Sequence, residues 1–311
     1  MQVYSFIVVL LAFLLSWNSS QAKTQAKTEV LKPKVIYLLS TPRSGAMVFS
    51  RMMYVRGDFE IINEPGVQTF YFLHEPGFPS SITSYEEVKN KIAQKIVTCQ
   101  NIFIKEMGYA AYDYLLQDPA FLQEQNYYIV FLIRNPHHAL ISNYKKLRRG
   151  IVSNVLHDVM SYKKLYELFE KFKKSGINQP SIILSEELVA NSHKIVSQFC
   201  QRVEIPFKEE SLSWQKLDEN FSFEHEWNWY HDKATQTANR WFDKAIESTG
   251  FTPEYLSNYA VDALGQPTFE EIENLEHRVF YKKISDDNLP FYKLFLEAYE
   301  RDLLVQKLGI A

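Results

Sequence analysis

Tyr127-Tyr128-Ile129-Val130-Phe131-Leu132-Ile133 is an apolar run that stops abruptly at Arg134-Asn135-Pro136, and it constrains the fold more than any other stretch of this chain. A short run rich in β-branched and aromatic residues, bounded by a turn, reads as a strand covered on both faces. Val35-Ile36-Tyr37-Leu38-Leu39 has the same character and ends in Ser40-Thr41-Pro42-Arg43-Ser44-Gly45. Weaker strands are expected at Phe59 to Ile62, Ile102 to Ile104 and Ser181 to Leu184. Helical patterning separates or follows them, at Ala46 to Arg56, Tyr85 to Thr98, Pro136 to about Arg149, and after Leu184 through Cys200. Strands alternating with helices predict an α/β fold of three layers, α/β/α, on a central parallel sheet of about five strands. From Ser211 onward the pattern is mainly helical and rich in aromatics.

In open parallel sheets, ligands sit beyond the carboxyl ends of the strands, so the residues following each run are the candidates for chemistry. Ser40 to Gly45 joins a strand to a helix, which concentrates backbone N–H groups and the positive helix end at one point and suits an anion. Gly45 allows close approach of the backbone, Arg43 adds a guanidinium, and the Thr41 and Ser44 hydroxyls can donate. The nucleoside-triphosphate loop G-x-x-x-x-G-K-[ST] does not occur here. The structural alternative is a strand–helix turn with Arg43 as a solvated charge.

At the second position, Asn135 is expected to cap a helix that has Pro136 at its first position. Arg134 then lies at the end of a central strand, with Ser142 about two turns into the following helix. A guanidinium with a hydroxyl suits a phosphate monoester. The alternative pairs Arg134 with a carboxylate and leaves Ser142 an ordinary helix residue. Lys145, Lys146, Arg148 and Arg149 are read as solvated complements to the helix end.

Together these segments resemble the sulfotransferases that use PAPS (3′-phosphoadenosine-5′-phosphosulfate), over roughly residues 34 to 215. Ser40 to Gly45 is similar to that family's loop for the 5′-phosphosulfate, and Arg134-Asn135-Pro136 with Ser142 to its clamp for the 3′-phosphate. Ser185-Glu186-Glu187-Leu188-Val189, followed by Ile205-Pro206-Phe207, is similar to its Y-E-D-L-V segment and G-L-P-F-like turn. The resemblance implies a P-loop NTPase-like sulfotransferase fold, with Thr41, Pro42, Arg43, Ser44, Gly45, Ala46, Met47, Arg134 and Ser142 around the nucleotide. It implies PAPS as donor, 3′,5′-bisphosphoadenosine as product, no metal, and a hydroxyl acceptor on a glycan, a protein or a small molecule. By this resemblance the nearest branches are expected to be the carbohydrate, protein or bacterial ones.

Departures from the pattern open a second expectation. Ala46 and Met47 stand where the family's loop has phosphate-contacting threonines, and Lys105-Glu106-Met107 stands where cytosolic members have K-x-H. Lys105 matches the family lysine and is expected near the bridging oxygen. With that histidine missing, Glu64 in the Glu64-Pro65-Gly66 turn is the first candidate for general base and Glu106 the second. The structural alternative for Glu64 is a carboxylate that caps a helix or pairs with Arg43. The catalytic set is thus Glu64, Lys105 and Arg43. The alternative function is a catalytically impaired binding protein that keeps the fold and is secreted or membrane-tethered.

Beyond this expected domain, residues 34–311, the amino-terminal sequence is distinct. Phe6 to Trp17 is an apolar run of about 12 residues, in the range of a signal h-region, and Ser20-Gln21-Ala22 supplies small residues for cleavage. Residues 1–22 read as a signal peptide or uncleaved anchor, and polar residues 23–33 as a linker. The expected location is the secretory pathway, a periplasm or a membrane anchor, and for an active enzyme a lumen supplied with PAPS. The membrane is expected as a partner only through that leader. With 34 basic and 37 acidic residues, a net charge of −3, the chain has no bulk attraction for nucleic acid. Cys99 and Cys200 offer no metal spacing and are read as buried free thiols. Glu224-His225-Glu226-Trp227-Asn228-Trp229-Tyr230-His231 is read first as a packed helix and second as an acceptor wall.

Overall fold

The computed structural model describes residues 33–78, 80–98, 101–116, 127–146, 154–176, 179–216, 245, 247–252 and 268–308. The leader, nearly all of the linker, Cys99, Arg148, Arg149 and the aromatic stretch at 224–231 lie outside the described residues.

Five parallel strands form one sheet in the order β2-β3-β1-β4-β5. They are β1 (Lys34–Ser40), β2 (Glu60–Asn63), β3 (Asn101–Met107), β4 (Tyr127–Ile133) and β5 (Ser181–Leu184). The helices, in chain order, are α1 (Ala46–Arg56), α2 (Val67–His74), α3 (Tyr85–Thr98), α4 (Gly108–Leu115), α5 (Pro136–Lys146), α6 (Asn154–Val159), α7 (Tyr162–Ser175), α8 (Ser185–Ala190), α9 (Ser192–Arg202) and α10 (Leu275–Leu308).

Strand alternation sends successive side chains to opposite faces, and each face is covered. Val35, Tyr37 and Leu39 pack with Val88 of α3, Tyr114 of α4, Leu165 and Phe169 of α7 and Phe295 of α10. Ile36 and Leu38 pack with Phe49 and Met52 of α1 and with Val196 and Phe199 of α9. The three-layer architecture expected from sequence is present, and among the described residues from 268 onward the chain is mainly helical, in α10.

Two differences from the sequence reading are instructive. β3 runs three residues past its apolar core, through Lys105, Glu106 and Met107, because pairing with β1 continues to Ser40↔Met107. Main-chain pairing tolerates charged side chains at the strand end, and hydropathy cannot register it. The single helix expected after β5 is two, α8 and α9, divided at Asn191, whose φ of −141° and ψ of 50° are not helical. No helix among the described residues is long and apolar enough to cross a membrane.

β1 and β4 are neighbours, yet the chain leaves β1 toward β2 on one side and leaves β4 toward β5 on the other. Connections that part in this way open a crevice at the carboxyl ends of the two strands. Both motifs singled out in the sequence border that crevice.

Candidate functional site

The turn after β1 is built on unusual backbone. Gly45 has φ +90° and precedes the first residue of α1, and a Cβ added there meets nothing within 4 Å, so the backbone faces open space. Arg43 also has φ +65°. A non-glycine residue in the left-handed region costs on the order of 1 kcal/mol, and such strain concentrates at functional turns. Among the described residues only Arg43, Glu64 and Glu204 have positive φ without being glycine, and the first two are catalytic candidates.

The structure draws the loop and the β4 arginine together. Arg134 donates from Nη1 to the Arg43 carbonyl at 2.7 Å, and Arg43 donates from Nε to Ser142 Oγ at 3.2 Å. Arg43 and Ser142, which the sequence assigned to opposite ends of the nucleotide, are therefore hydrogen-bonded to each other here. The left-handed turn at Arg43 directs its side chain toward α5. Asn135 caps α5 as expected, accepting from the His137 amide at 3.0 Å, with Pro136 first in the helix. Ser44 is 2% exposed, and its Oγ has no hydrogen-bond partner. A buried hydroxyl without a partner beside first-turn helix amides is suited to an anionic oxygen. Thr41 and Pro42 are buried at the base of the loop. Ala46 and Met47 pack into the core between the sheet and α1, so they bring only their amides to the site.

On the other side of β1 a second group forms. Lys105 ends its fully buried side chain on the Glu64 carboxylate, which is 24% exposed, and Lys105 Nζ lies 3.7 Å from Met107 Sδ. Register explains the pair: Lys105 sits opposite Asn63, one residue before Glu64, and the Glu64 amide donates to the Lys105 carbonyl at 2.6 Å. The partner of Glu64 is thus Lys105, in place of the expected Arg43. The Tyr71 and Tyr109 rings lie 6.3 Å apart, and burial, together with the nearby Glu64 charge, pushes both phenols up.

Glu106 points to the opposite face. Its carboxylate oxygens accept from the Gly66 amide at 2.6 Å, the Met107 amide at 2.8 Å and the Tyr114 hydroxyl at 3.2 Å. A Cβ on Gly66 would meet Glu106 Oε2 at 2.9 Å, so this turn requires glycine for close approach. Burial pushes the Glu106 carboxyl up to about 8, against the two amides that pull it down. Its folded-state value lies above the unfolded one, so stability is expected to fall as pH rises from about 4.5 to about 8. The limiting slope of this loss is about 1.4 kcal/mol per pH unit. Glu106→Gln should flatten that decline in urea melts across the same range; an unchanged slope would refute the assignment.

The third segment of the resemblance braces the first two, a role to which the sequence reading gave no chemistry. Ser185 donates to the Ser44 carbonyl at 2.5 Å, and Glu186 accepts from the Asn135 amide at 3.0 Å. Burial pushes the Glu186 carboxyl up, but His138 and the Asn135 amide outweigh it and hold it below the usual range. The signal for both residues was their position directly after β5. Tyr162, at the start of α7, was missed altogether. It lies in a segment whose amphipathic pattern reads only as core, yet its hydroxyl donates to the Arg134 carbonyl at 2.5 Å.

No family model matches the chain, and no curated protein does. Solved structures do. In fold, this chain is similar to sulfotransferase domains. The sulfotransferase domain of the Synechococcus PCC 7002 olefin synthase is 13% identical, covers 84% of this chain and 96% of its own, and has a TM-score of 0.43. The sulfotransferase domain from the curacin biosynthetic pathway is 16% identical, covers 82% and 97%, and has a TM-score of 0.46. Mouse sulfotransferase SULT7A1 complexed with PAP is 17% identical, covers 75% and 86%, and has a TM-score of 0.35.

Proposed function

We propose that this protein is a sulfotransferase that moves a sulfuryl group from PAPS to a hydroxyl acceptor. The observation that carries the reading is the Arg134–Arg43–Ser142 chain of hydrogen bonds across the β1–β4 crevice, above a turn whose buried Ser44 Oγ has no partner. Two guanidinium groups, a free hydroxyl and helix-start amides within one crevice fit a doubly phosphorylated nucleotide. PAPS, when bound, supplies the sulfuryl group on a phosphate leaving group. Arg43, Ser44 and the first amides of α1 hold the 5′ side. Arg134 holds the 3′-phosphate, with Ser142 released to it when Arg43 turns to the nucleotide. Lys105 offsets negative charge that builds on the bridging oxygen, and Glu64 accepts the acceptor proton.

The test is a thermal-shift titration of the full chain. Stabilisation by 3′,5′-bisphosphoadenosine that greatly exceeds that by ATP is expected, at about 2.7 kcal/mol for ligand at a hundred times its dissociation constant. No difference between the two nucleotides would overturn the reading. Ala46 and Met47, which contribute no side-chain donor, favour a second reading, a nucleotide-binding protein without transfer. Stabilisation by the bisphosphate with no label passing from radiolabelled donor to phenolic, glycan or peptide acceptors would select it.

A further inference from the structure

Tyr162 opens α7 on the face of the sheet away from α1 and has no exposed surface. Its phenol oxygen meets both halves of the crevice. It donates to the Arg134 carbonyl at 2.5 Å and accepts from Thr41 Oγ1 at 3.3 Å. Thr41 opens the turn after β1, and Arg134 is the first residue past β4. The guanidinium of the same Arg134 returns to the turn at the Arg43 carbonyl. The hydrogen bonds therefore close a ring, from Thr41 through Tyr162 and Arg134 to Arg43.

The tyrosine is itself fixed from behind. Its amide donates to Asn288 Oδ1 at 2.8 Å, and Asn288 Nδ2 donates to the Ile284 carbonyl at 2.8 Å within α10. A second strut runs from the same helix, where Ser285 Oγ and His137 Nδ1 lie 2.7 Å apart, beside the Arg134 segment. Core packing alone would be satisfied by phenylalanine at this position. A buried hydroxyl that bonds two separate strand ends instead sets a distance between them.

We infer that Tyr162 is a positioning residue for the nucleotide site, its phenol oxygen fixing the spacing between the Thr41–Gly45 turn and Arg134 and tying that spacing to α10. This rests on the nucleotide reading above. A ligand that spans both segments depends on their spacing, whereas one that uses a single segment does not.

That difference supplies the test. Dissociation constants of the full chain are measured by calorimetric titration for 3′,5′-bisphosphoadenosine and for adenosine 5′-monophosphate, alongside the melting temperature without ligand. Wild type is expected to prefer the bisphosphate by at least about tenfold, and Tyr162→Phe to lose about tenfold in bisphosphate affinity, the worth of one or two hydrogen bonds. Its affinity for the monophosphate should stay within about threefold. Tyr292→Phe, in a ring 6.4 Å from Tyr162, should leave both constants unchanged. Equal losses for the two ligands, or a lower melting temperature with both constants intact, would make Tyr162 structural only. If Tyr162→Phe does not fold, Asn288→Ala, which frees the tyrosine amide, carries the same comparison, and a preserved preference there overturns the inference. Wild type that does not distinguish the two nucleotides would instead remove the nucleotide reading itself.

Discussion

Arg134→Ala is expected to weaken 3′,5′-bisphosphoadenosine binding by about a hundredfold, roughly 2.7 kcal/mol, the scale of a charge-assisted bidentate contact. The side chain is 6% exposed at the end of β4 and already points at the turn after β1, so little reorganisation precedes its contact with a phosphate. Arg134→Lys separates charge from geometry. It keeps the cation but loses the planar fork that bonds the Arg43 carbonyl and a ligand together, and about a tenfold loss is expected. Calorimetric titration of both variants provides the check. Unaltered affinity in Arg134→Ala, with the fold intact by circular dichroism, would end the proposal that this guanidinium binds the nucleotide.

The second large effect is an asymmetry between two partners in one ion pair. Glu64→Gln leaves the Lys105 ammonium fully buried without its carboxylate, and a loss of about 2 kcal/mol is expected. That is below the range for fully buried pairs because Glu64 is partly open to water. Lys105→Met keeps most of the buried stem and leaves a carboxylate that can hydrate, so the expected cost is under about 1 kcal/mol. Denaturant melts of the two variants should differ accordingly; equal destabilisation would show that solvent reaches Lys105. If Glu64 is the base, Glu64→Gln also lowers transfer by about a hundredfold or more, a change that stability alone does not produce once the variant is folded at the assay temperature.

Much of the fold was legible because the information is local. The apolar runs of β1 and β4, the Asn135-Pro136 helix start and the glycine before α1 each constrain their own few residues, and each is found where the pattern put it. The helix break at Asn191 is not read from the sequence, where Ser185 to Cys200 reads as one helix; in the structure Asn191 leaves the helical region, ending α8 and opening α9. The same division holds in the site. Residue types and strand ends marked Arg43, Ser44, Arg134 and Ser142, but not that Arg43 and Ser142 would bond each other. That depends on the left-handed turn at Arg43, which non-glycine sequence does not announce.

By itself, the sequence determined a parallel α/β sheet, the points where its strands end, and the anion-suited residues waiting there, because periodicity and turn chemistry act over neighbouring residues. Only the tertiary structure decided the partners: Lys105 with Glu64, Glu106 with the Gly66 amide, and Tyr162 between Thr41 and Arg134. Those choices follow from strand register and from which helix covers which face of the sheet, and they join residues far apart in the chain, where no local pattern reaches.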